Sequence, residues 1–477
     1  MEKQQPPATI PRLQTMRQRR SFYMSSESSS LPSTLSLSRQ NLLAVSATAS
    51  SATGTEKLES TARQLQTPHS GYHFSGTPND RFFEGWYFRV TIPEIHQSFA
   101  FIYSVEDPGK GGVNSGTGVQ VMGPEDGYVV QFSTRTDIFW GSESELALGA
   151  SFQPRSDAMK ASNIVTQPTT GKLVDESTFN ALTRYGFQSN STWNQGHIRA
   201  VGVVPPGEIN NTVSECKWAF STRPTQGYGS EEEKQRSTAG WLSALPIFEP
   251  HWQILMADGR SDGWIEWGGK RYEFSNAPTY AEKNWGKGFP SKWFWIQCNS
   301  FYSAFKEEGE GQGKEEQELS VTAVGALREL PGIGGEETVG LIAIHHNGRF
   351  LEFFPQDSKI EWETEEWGSW KITAFTPDKK LKAEIIAKCD SPGTLLRAPT
   401  DGKGLAPACR DTFEGVVEMK IWELDELIVN AKSTDGGLEI GGGPWETTWK
   451  DSAEFNDAIK EARPVSSVMY RNETRGH

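Results

Sequence analysis

The chain has 477 residues, 36% of them hydrophobic and 23% charged, and a formal net charge of −14. That length leaves room for about three domain-sized units and a substantial core. With no run of ~18 apolar residues, a membrane-spanning helix is excluded, and the acidic balance, without a basic stripe carrying interleaved aromatics, speaks against nucleic-acid binding.

Residues 1–55 differ from everything after them. Arg12, Arg17, Arg19, Arg20 and Arg39 stand in a dense Ser/Thr population with only Glu2 and Glu27 as acids. This Arg- and Ser-rich, acid-poor composition is that of an organellar transit peptide, with LLAVSATAS (Leu42 to Ser50) as the processing region; a plain disordered tail is the alternative. Losing six basic and two acidic residues would take the formal charge from −14 to −18.

Past residue 65 the sequence reads as strands and turns. FFEGWYFRVTI (Phe82 to Ile92), SFAFIYSV (Ser98 to Val105), GWIEWGG with KRYEF (Gly263 to Phe274) and KWFWIQCNSF (Lys292 to Phe301) are β-branched or aromatic runs with partial alternation. Asp126-Gly127, Asp258-Gly259, Asp262-Gly263, Gly268-Gly269 and Asn347-Gly348 are turn dipeptides that favour tight antiparallel connections. One helix is expected, DSAEFNDAIKEA (Asp451 to Ala462), opened by an acid. The fold class is therefore mainly antiparallel β with little helix, and a break at Gly286 to Pro290 divides it into two sequential β-barrels, residues 66–289 and 290–463, before a tail at 464–477. The charged run KEEGEGQGKEEQE (Lys306 to Glu318) and the polar, proline-containing stretch Val204 to Asn211 are expected as solvated loops.

Cys216, Cys298, Cys389 and Cys409 are scattered, with no CxxC pair, and read as buried thiols of a reducing compartment. His345 and His346 precede the Asn347-Gly348 turn, so they point to opposite faces of a strand and no metal site is expected there.

The richest segment runs from Glu249 to Asn299. Trp252, Trp264, Trp267, Trp285, Trp293 and Trp295 are more indoles than a routine core needs, although each alone could be ordinary packing. His251, Tyr280 and Glu282 supply the proton chemistry beside them. An apolar, π-rich cavity with one or two acids suits a greasy substrate that becomes protonated. A carboxyl there has its pKa raised, because desolvation disfavours the anion, and indole faces stabilise a developing cation.

These residues, together with TPHSGYHFSGTPNDRFFEGWYFRV (Thr67 to Val90), STAGW through FEPHWQ (Ser237 to Gln253), YAEKNWGKGFPSKWFWIQCN (Tyr280 to Asn299) and GGGPWETTW (Gly441 to Trp449), resemble the tocopherol cyclases of plant and algal plastids over most of the chain after residue 66. The resemblance implies lipocalin-like barrels and a redox-neutral ring closure of prenylated benzoquinols without a cofactor, consistent with the lack of a GxGxxG unit, a phosphate-cradling loop or metal-ligand spacing. It also implies a chloroplast location at plastoglobule or thylakoid surfaces. Tyr280 to Gly286 further resembles the Tyr-x-Asp-x-x-x-Gly region of carotenoid 1,2-hydratases, with Glu282 in the place of the acid. Glu282 is thus the expected proton donor, Tyr280 its orienting partner and His251 a relay, with Glu84 and Asp411, beside Glu414, in reserve. A structural ion pair of Glu282 with Lys283 is the competing reading. Trp86, Trp252, Trp264, Trp285, Trp293 and Trp295 are expected to line the substrate site. A prenyl-lipid hydratase and a non-catalytic prenylquinone carrier remain open alternatives.

Overall fold

The computed structural model describes residues 66–453 apart from 77–80, 110, 156–172, 201–210, 231–234, 239, 241–249, 304–315, 330–334, 356 and 401. The expected leader, the Val204 to Asn211 loop but for Asn211, most of the Lys306 to Glu318 run and the C-terminal tail lie outside the described residues.

Two antiparallel sheets follow one another along the chain. The first contains β1 (Phe83–Ile92), β2 (Gln97–Glu106), β3 (Gly116–Gly123), β4 (Gly127–Ser133), β5 (Phe139–Gly141), β6 (Ala147–Pro154), β7 (Thr183–Asn190), β8 (Trp193–Arg199), β9 (Glu215–Gln226), β10 (His251–Trp267) and β11 (Lys270–Gly286), in the order β4-β3-β2-β1-β11-β10-β9-β8-β7-β6-β5. The sheet curls on itself: Tyr103 of β2 stacks on Phe187 of β7 at 4.2 Å, and at the start of β4 the Tyr128 carbonyl accepts from the Thr212 amide while the Tyr128 amide donates to Thr212 Oγ1, both at 2.8 Å. Its concave face holds a core of Trp86, Phe88, Phe101, Trp218 and Ile265.

The second sheet contains β12 (Lys292–Cys298), β13 (Phe301–Ser303), β14 (Glu316–Gln317), β15 (Leu319–Glu329), β16 (Glu336–His346), β17 (Arg349–Phe353), β18 (Lys359–Thr364), β19 (Ser369–Phe375), β20 (Leu381–Lys388), β21 (Thr394–Thr400), β22 (Gly404–Glu423), β23 (Glu426–Gly442) and β24 (Trp449–Ala453). Its main path is β17-β16-β15-β12-β23-β22-β20-β19-β18-β24. Thr338 of β16 hydrogen-bonds Asp451 of β24 at 3.0 Å, so this sheet also wraps round a core, built on Phe294, Ile296, Trp362, Trp370 and Ile385.

The strands nearest the break are buried on both faces, which is why their sequences are nearly continuous aromatic and β-branched runs rather than clean alternations. One face of each fills its own sheet's core. The other meets the opposite sheet, and two mixed clusters form there: Ala100, Met122 and Tyr128 with Trp293, Leu396 and Phe413, and Tyr228, Ile254 and Tyr280 with Trp295 and Leu341. Arg89 fastens this seam. Its guanidinium, 1% exposed, donates to the Gln297 carbonyl at 3.0 Å, to Gln297 Oε1 at 2.7 Å, and to the Asp435 carbonyl. Asp126 is a second fastener, accepting from Thr412 Oγ1 at 2.7 Å and from the Phe413 amide at 3.1 Å.

Several sequence expectations need correction. Asp258-Gly259 and Asp262-Gly263 are not turns but register shifts inside β10, where the strand bulges. A Cβ on Gly263 would lie 2.4 Å from the Ala219 carbonyl oxygen, so the glycine serves close strand approach. Asp451 to Ala453 extend as β24 rather than opening a helix, because this segment closes the second sheet against β18; the rest of that expected helix lies outside the described residues. The one described α-helix, α1 (Glu176–Leu182), is capped by Asp175, which accepts from the Thr178 amide. Gly268-Gly269 and Asn347-Gly348 do turn, between β10 and β11 and between β16 and β17, while Asp126-Gly127 closes a short 3-10 turn into β4. Cys216, Cys298 and Cys409 are buried and Cys389 half-buried. Among the described residues no helix is long and apolar enough to cross a membrane.

Gly441 tests how the seam is made. A Cβ there would fall 1.9 Å from the Trp293 ring, a clash that the buried indole cannot relieve without moving. Gly441→Ala is expected to lower stability by about 1–3 kcal/mol through overpacking, read as a fall in Tm with a changed tryptophan emission from the displaced ring.

Candidate active site

A cavity of about 250 Å³ opens in the seam between the sheets. Pairing register explains its walls, since residues directly opposite one another on adjacent strands share a face. On the first sheet Glu282, Tyr87, Ile102 and Gln120 form one row across β11, β1, β2 and β3, with Asn284, Gly85 and Ser104 in the next. On the second sheet Leu341, Val324, Trp295 and Glu439 form the facing row across β16, β15, β12 and β23, with Val339, Ala326 and Trp293 beside it. All of these line the cavity. At about 4.8 Å per strand the row from Glu282 to Gln120 is about 14 Å long, so the space is an elongated, mostly apolar slot.

Glu282 is the centre of its polar chemistry. Tyr280, two residues earlier on β11 and so on the same face, donates its hydroxyl to Glu282 Oε2 at 2.7 Å. Trp252 Nε1 from β10 and Trp295 Nε1 from β12 donate to the same oxygen at 3.0 and 3.1 Å. The carboxyl is only 8% exposed. Burial, the largest influence, pushes its pKa above the ordinary carboxylate range, while the hydrogen bonds from Tyr280, Trp252 and Trp295 pull the other way. The combination suits proton donation: desolvation keeps the proton on at rest, and the converging donors stabilise the carboxylate once the proton has left.

The competing reading, an ion pair of Glu282 with Lys283, does not hold. Adjacent strand residues point to opposite faces, and Lys283 lies buried on the far face in contact with Glu84 and with the Gly71 carbonyl at 2.6 Å. Glu84 also accepts from the His73 amide at 2.8 Å. It is therefore a structural partner of Lys283 on the core face of β1, and breaking this buried pair would cost about 3–5 kcal/mol.

The other expected site residues separate in the same way. Trp86, Trp252, Trp293, Trp295 and His251 border the cavity. Trp285 does not: it shares the Glu84 face, sandwiched between His73 at 4.2 Å and His251 at 5.1 Å. Trp264 lies far along β10, half-exposed, with the Arg271 guanidinium 4.1 Å over its ring. Neither is among the residues that line the cavity; alternation alone does not decide this, since Trp86 and His251 share the face of Trp285 and still border the cavity. His251 has no hydrogen bond to Glu282, and burial, with the charges of His73 and Arg328, lowers its pKa to about 4, so it is neutral at neutral pH. Asp411 is buried beside Glu439, opposite it in register, but is not among the residues that line the cavity; burial and the neighbouring Glu439 push its pKa well up. Glu414 is exposed. His345 is buried with Nε2 2.9 Å from the Gly229 carbonyl oxygen, while His346 on the opposite face is half-buried.

One acid on the cavity wall was not anticipated. Glu439 accepts from Trp293 Nε1 and is pushed up to about 7, chiefly by burial. Its signal is the pattern Gly437-Leu438-Glu439-Ile440-Gly441, in which glycines at both neighbouring same-face positions clear space for the Trp295 and Trp293 rings.

Comparison with known proteins adds the following. Residues 80–442 match the family model described as tocopherol cyclase-like. A protein of Oryza sativa subsp. japonica named "Probable tocopherol cyclase, chloroplastic" is 43% identical over 419 residues, covering 83% of each chain. A Zea mays protein named "Tocopherol cyclase, chloroplastic" is 44% identical, covering 83% of this chain and 82% of its own. Among solved structures, CghA aligns with a TM-score of 0.42 and 10% identity over 80% of this chain and 97% of its own.

Replacing Glu282 with Gln tests the site directly, because the amide keeps the shape and an oxygen for the three donors but has no proton to give. Turnover is expected to fall by at least about 10²- to 10⁴-fold, with Tm and ligand affinity near those of the parent; stopped-flow turnover beside thermal unfolding separates the two effects.

Proposed function

We propose, from the premise that this chain belongs to the tocopherol cyclase-like family, that it closes the chromanol ring of phytyl-benzoquinols with Glu282 as the acid. The substrates are 2,3-dimethyl-6-phytyl-1,4-benzoquinol, giving γ-tocopherol, and 2-methyl-6-phytyl-1,4-benzoquinol, giving δ-tocopherol. Glu282 delivers a proton to the less substituted carbon of the first prenyl double bond. The adjacent carbon becomes a tertiary cation, and the ortho phenolic oxygen captures it to form the C–O bond. No electrons are gained or lost overall, and the product is an isomer of the substrate.

The observation that carries this reading is the convergence of Tyr280, Trp252 and Trp295 on one oxygen of a buried carboxyl in an apolar slot. An ordinary carboxyl is ionised at neutral pH and has no proton to give an alkene; a desolvated one stays neutral and loaded. Trp252, Trp293 and Trp295 bring indole faces to the cation, each contributing about 1–2 kcal/mol where water is excluded. The narrow slot also limits capture of the cation by water. The apolar rows that flank Trp295 and run past Ile102 toward Leu405 suit a saturated isoprenoid tail.

A plastid location accords with the chloroplastic relatives and with the Arg- and Ser-rich first 55 residues. Peripheral attachment to plastoglobule or thylakoid surfaces, where such a lipid partitions, completes the proposal, as does a division into a leader at 1–55, barrel units at 66–289 and 290–463, and a tail at 464–477.

Purified protein incubated with the dimethyl quinol under reducing conditions is expected to yield the chromanol, resolved by chromatography. A tertiary alcohol would instead establish water capture and a hydratase, and unchanged quinol that co-purifies with the protein would establish a carrier.

A further inference from the structure

Two carboxyls rather than one line the cavity. Glu282 stands on the floor of the slot and Glu439 on the roof, and both line the same cavity. They are joined through the tryptophan pair of β12: Trp295, which donates to Glu282, lies opposite Glu439 in register, and Trp293 donates to Glu439 itself. Each acid therefore has its own indole N–H.

Ring closure needs two proton movements at different atoms. One delivers a proton to carbon; the other removes the phenolic proton as oxygen attacks. A carboxyl that has just become an anion on the alkene side is held by three donors on that oxygen, which makes it a weak acceptor. We infer that Glu439 is the second catalytic group, a carboxylate that takes the phenolic proton while Glu282 protonates the double bond. This rests on the cyclase reading and extends it.

The step balances. The C=C π pair forms the new C–H bond with the Glu282 proton, and a phenolic oxygen lone pair forms the C–O bond. The O–H bond breaks with its proton going to Glu439, and nothing is oxidised or reduced. One proton then returns from Glu439 to Glu282 to restore the starting state. Mutual repulsion across the slot supports the arrangement, since two facing carboxyls favour holding one proton between them over holding none. The groups facing Glu439 are Asp411 and Cys409 on β22, Glu282 on β11 and the Tyr87 hydroxyl on β1, with Arg89 beyond Asp411. Asp411 stands beside Glu439 but is not among the residues that line the cavity, and burial with the neighbouring Glu439 pushes its pKa well up, so it backs Glu439 rather than reaching substrate.

The test uses the full chain and 2,3-dimethyl-6-phytyl-1,4-benzoquinol in D₂O, comparing the parent with Glu439→Gln, Glu439→Asp and Glu282→Gln. In Glu439→Gln, chromanol formation is expected to fall about 10²- to 10⁴-fold while deuterium still enters the side chain of recovered quinol or its double-bond isomers, because the cation continues to form and revert. The acidic limb of the kcat–pH profile should disappear, and Glu439→Asp should restore part of the rate. Glu282→Gln should lose both deuterium uptake and chromanol. Parent-like ring closure in Glu439→Gln, or equal loss of closure and deuterium uptake in a folded, quinol-binding variant, would overturn the assignment. If Glu439→Gln does not fold, Trp293→Phe replaces it: loss of the N–H that favours the Glu439 anion should move the acidic limb to higher pH, and an unmoved limb would overturn the assignment. Failure of the parent to form chromanol would defeat the cyclase reading itself, a result distinct from all of these.

Discussion

The molecule is organised around the cost of burying a carboxyl. Glu282 is removed from water at the contact between two sheets, and that desolvation alone would leave a neutral acid too reluctant to part with its proton. Tyr280, Trp252 and Trp295 offset it by aiming three donors at one oxygen. They come from three different strands, two on the first sheet and one on the second, so the acid acquires its properties only when both sheets are in place. Chemistry and tertiary structure are tied at this oxygen.

The seam that creates the site depends on strands able to serve two cores at once. In β1, alternate residues Trp86 and Phe88 fill the first sheet while Tyr87 and Arg89 face the second. In β12, Phe294 and Ile296 fill the second sheet while Trp293 and Trp295 face the first. Polar fasteners limit sliding along this contact. Arg89 reaches backbone carbonyls of the second sheet and Asp126 accepts from Thr412 and Phe413, each a hydrogen bond with a charged member and so stronger than the neutral kind. A shift of one residue in β11 would turn Glu282 toward the core and Lys283 into the slot.

Much of this was legible in the sequence. Aromatic runs located β1, β2 and β12, the dipeptides Gly268-Gly269 and Asn347-Gly348 located two hairpins, and Glu282 close to Tyr280 could be read as an acid with its partner. What could not be read was which face each tryptophan takes relative to a sheet that has not yet been built. Trp285 and Trp264 look equivalent to Trp252 in a linear segment, yet alternation sends Trp285 under the first sheet and distance along β10 carries Trp264 to the surface. The Asp-Gly pairs at 258–259 and 262–263 misled for a related reason: the same local freedom that makes a turn also makes a bulge, and only the partner strand decides between them. Glu439 was missed because a single acid in a glycine-rich strand has an ordinary appearance, and its meaning lies in the indoles that occupy the space of Gly437 and Gly441.

The central claim is that Glu282 is a neutral acid at rest, and infrared difference spectroscopy measures that without reference to turnover. Spectra of the parent minus Glu282→Gln, recorded at neutral pH in H₂O and D₂O, are predicted to show the carbonyl stretch of a protonated carboxyl in the parent, shifted on deuteration and missing from the variant. A difference spectrum that instead shows the loss of a carboxylate pair of bands would mean that the three hydrogen bonds outweigh desolvation, and would contradict the account.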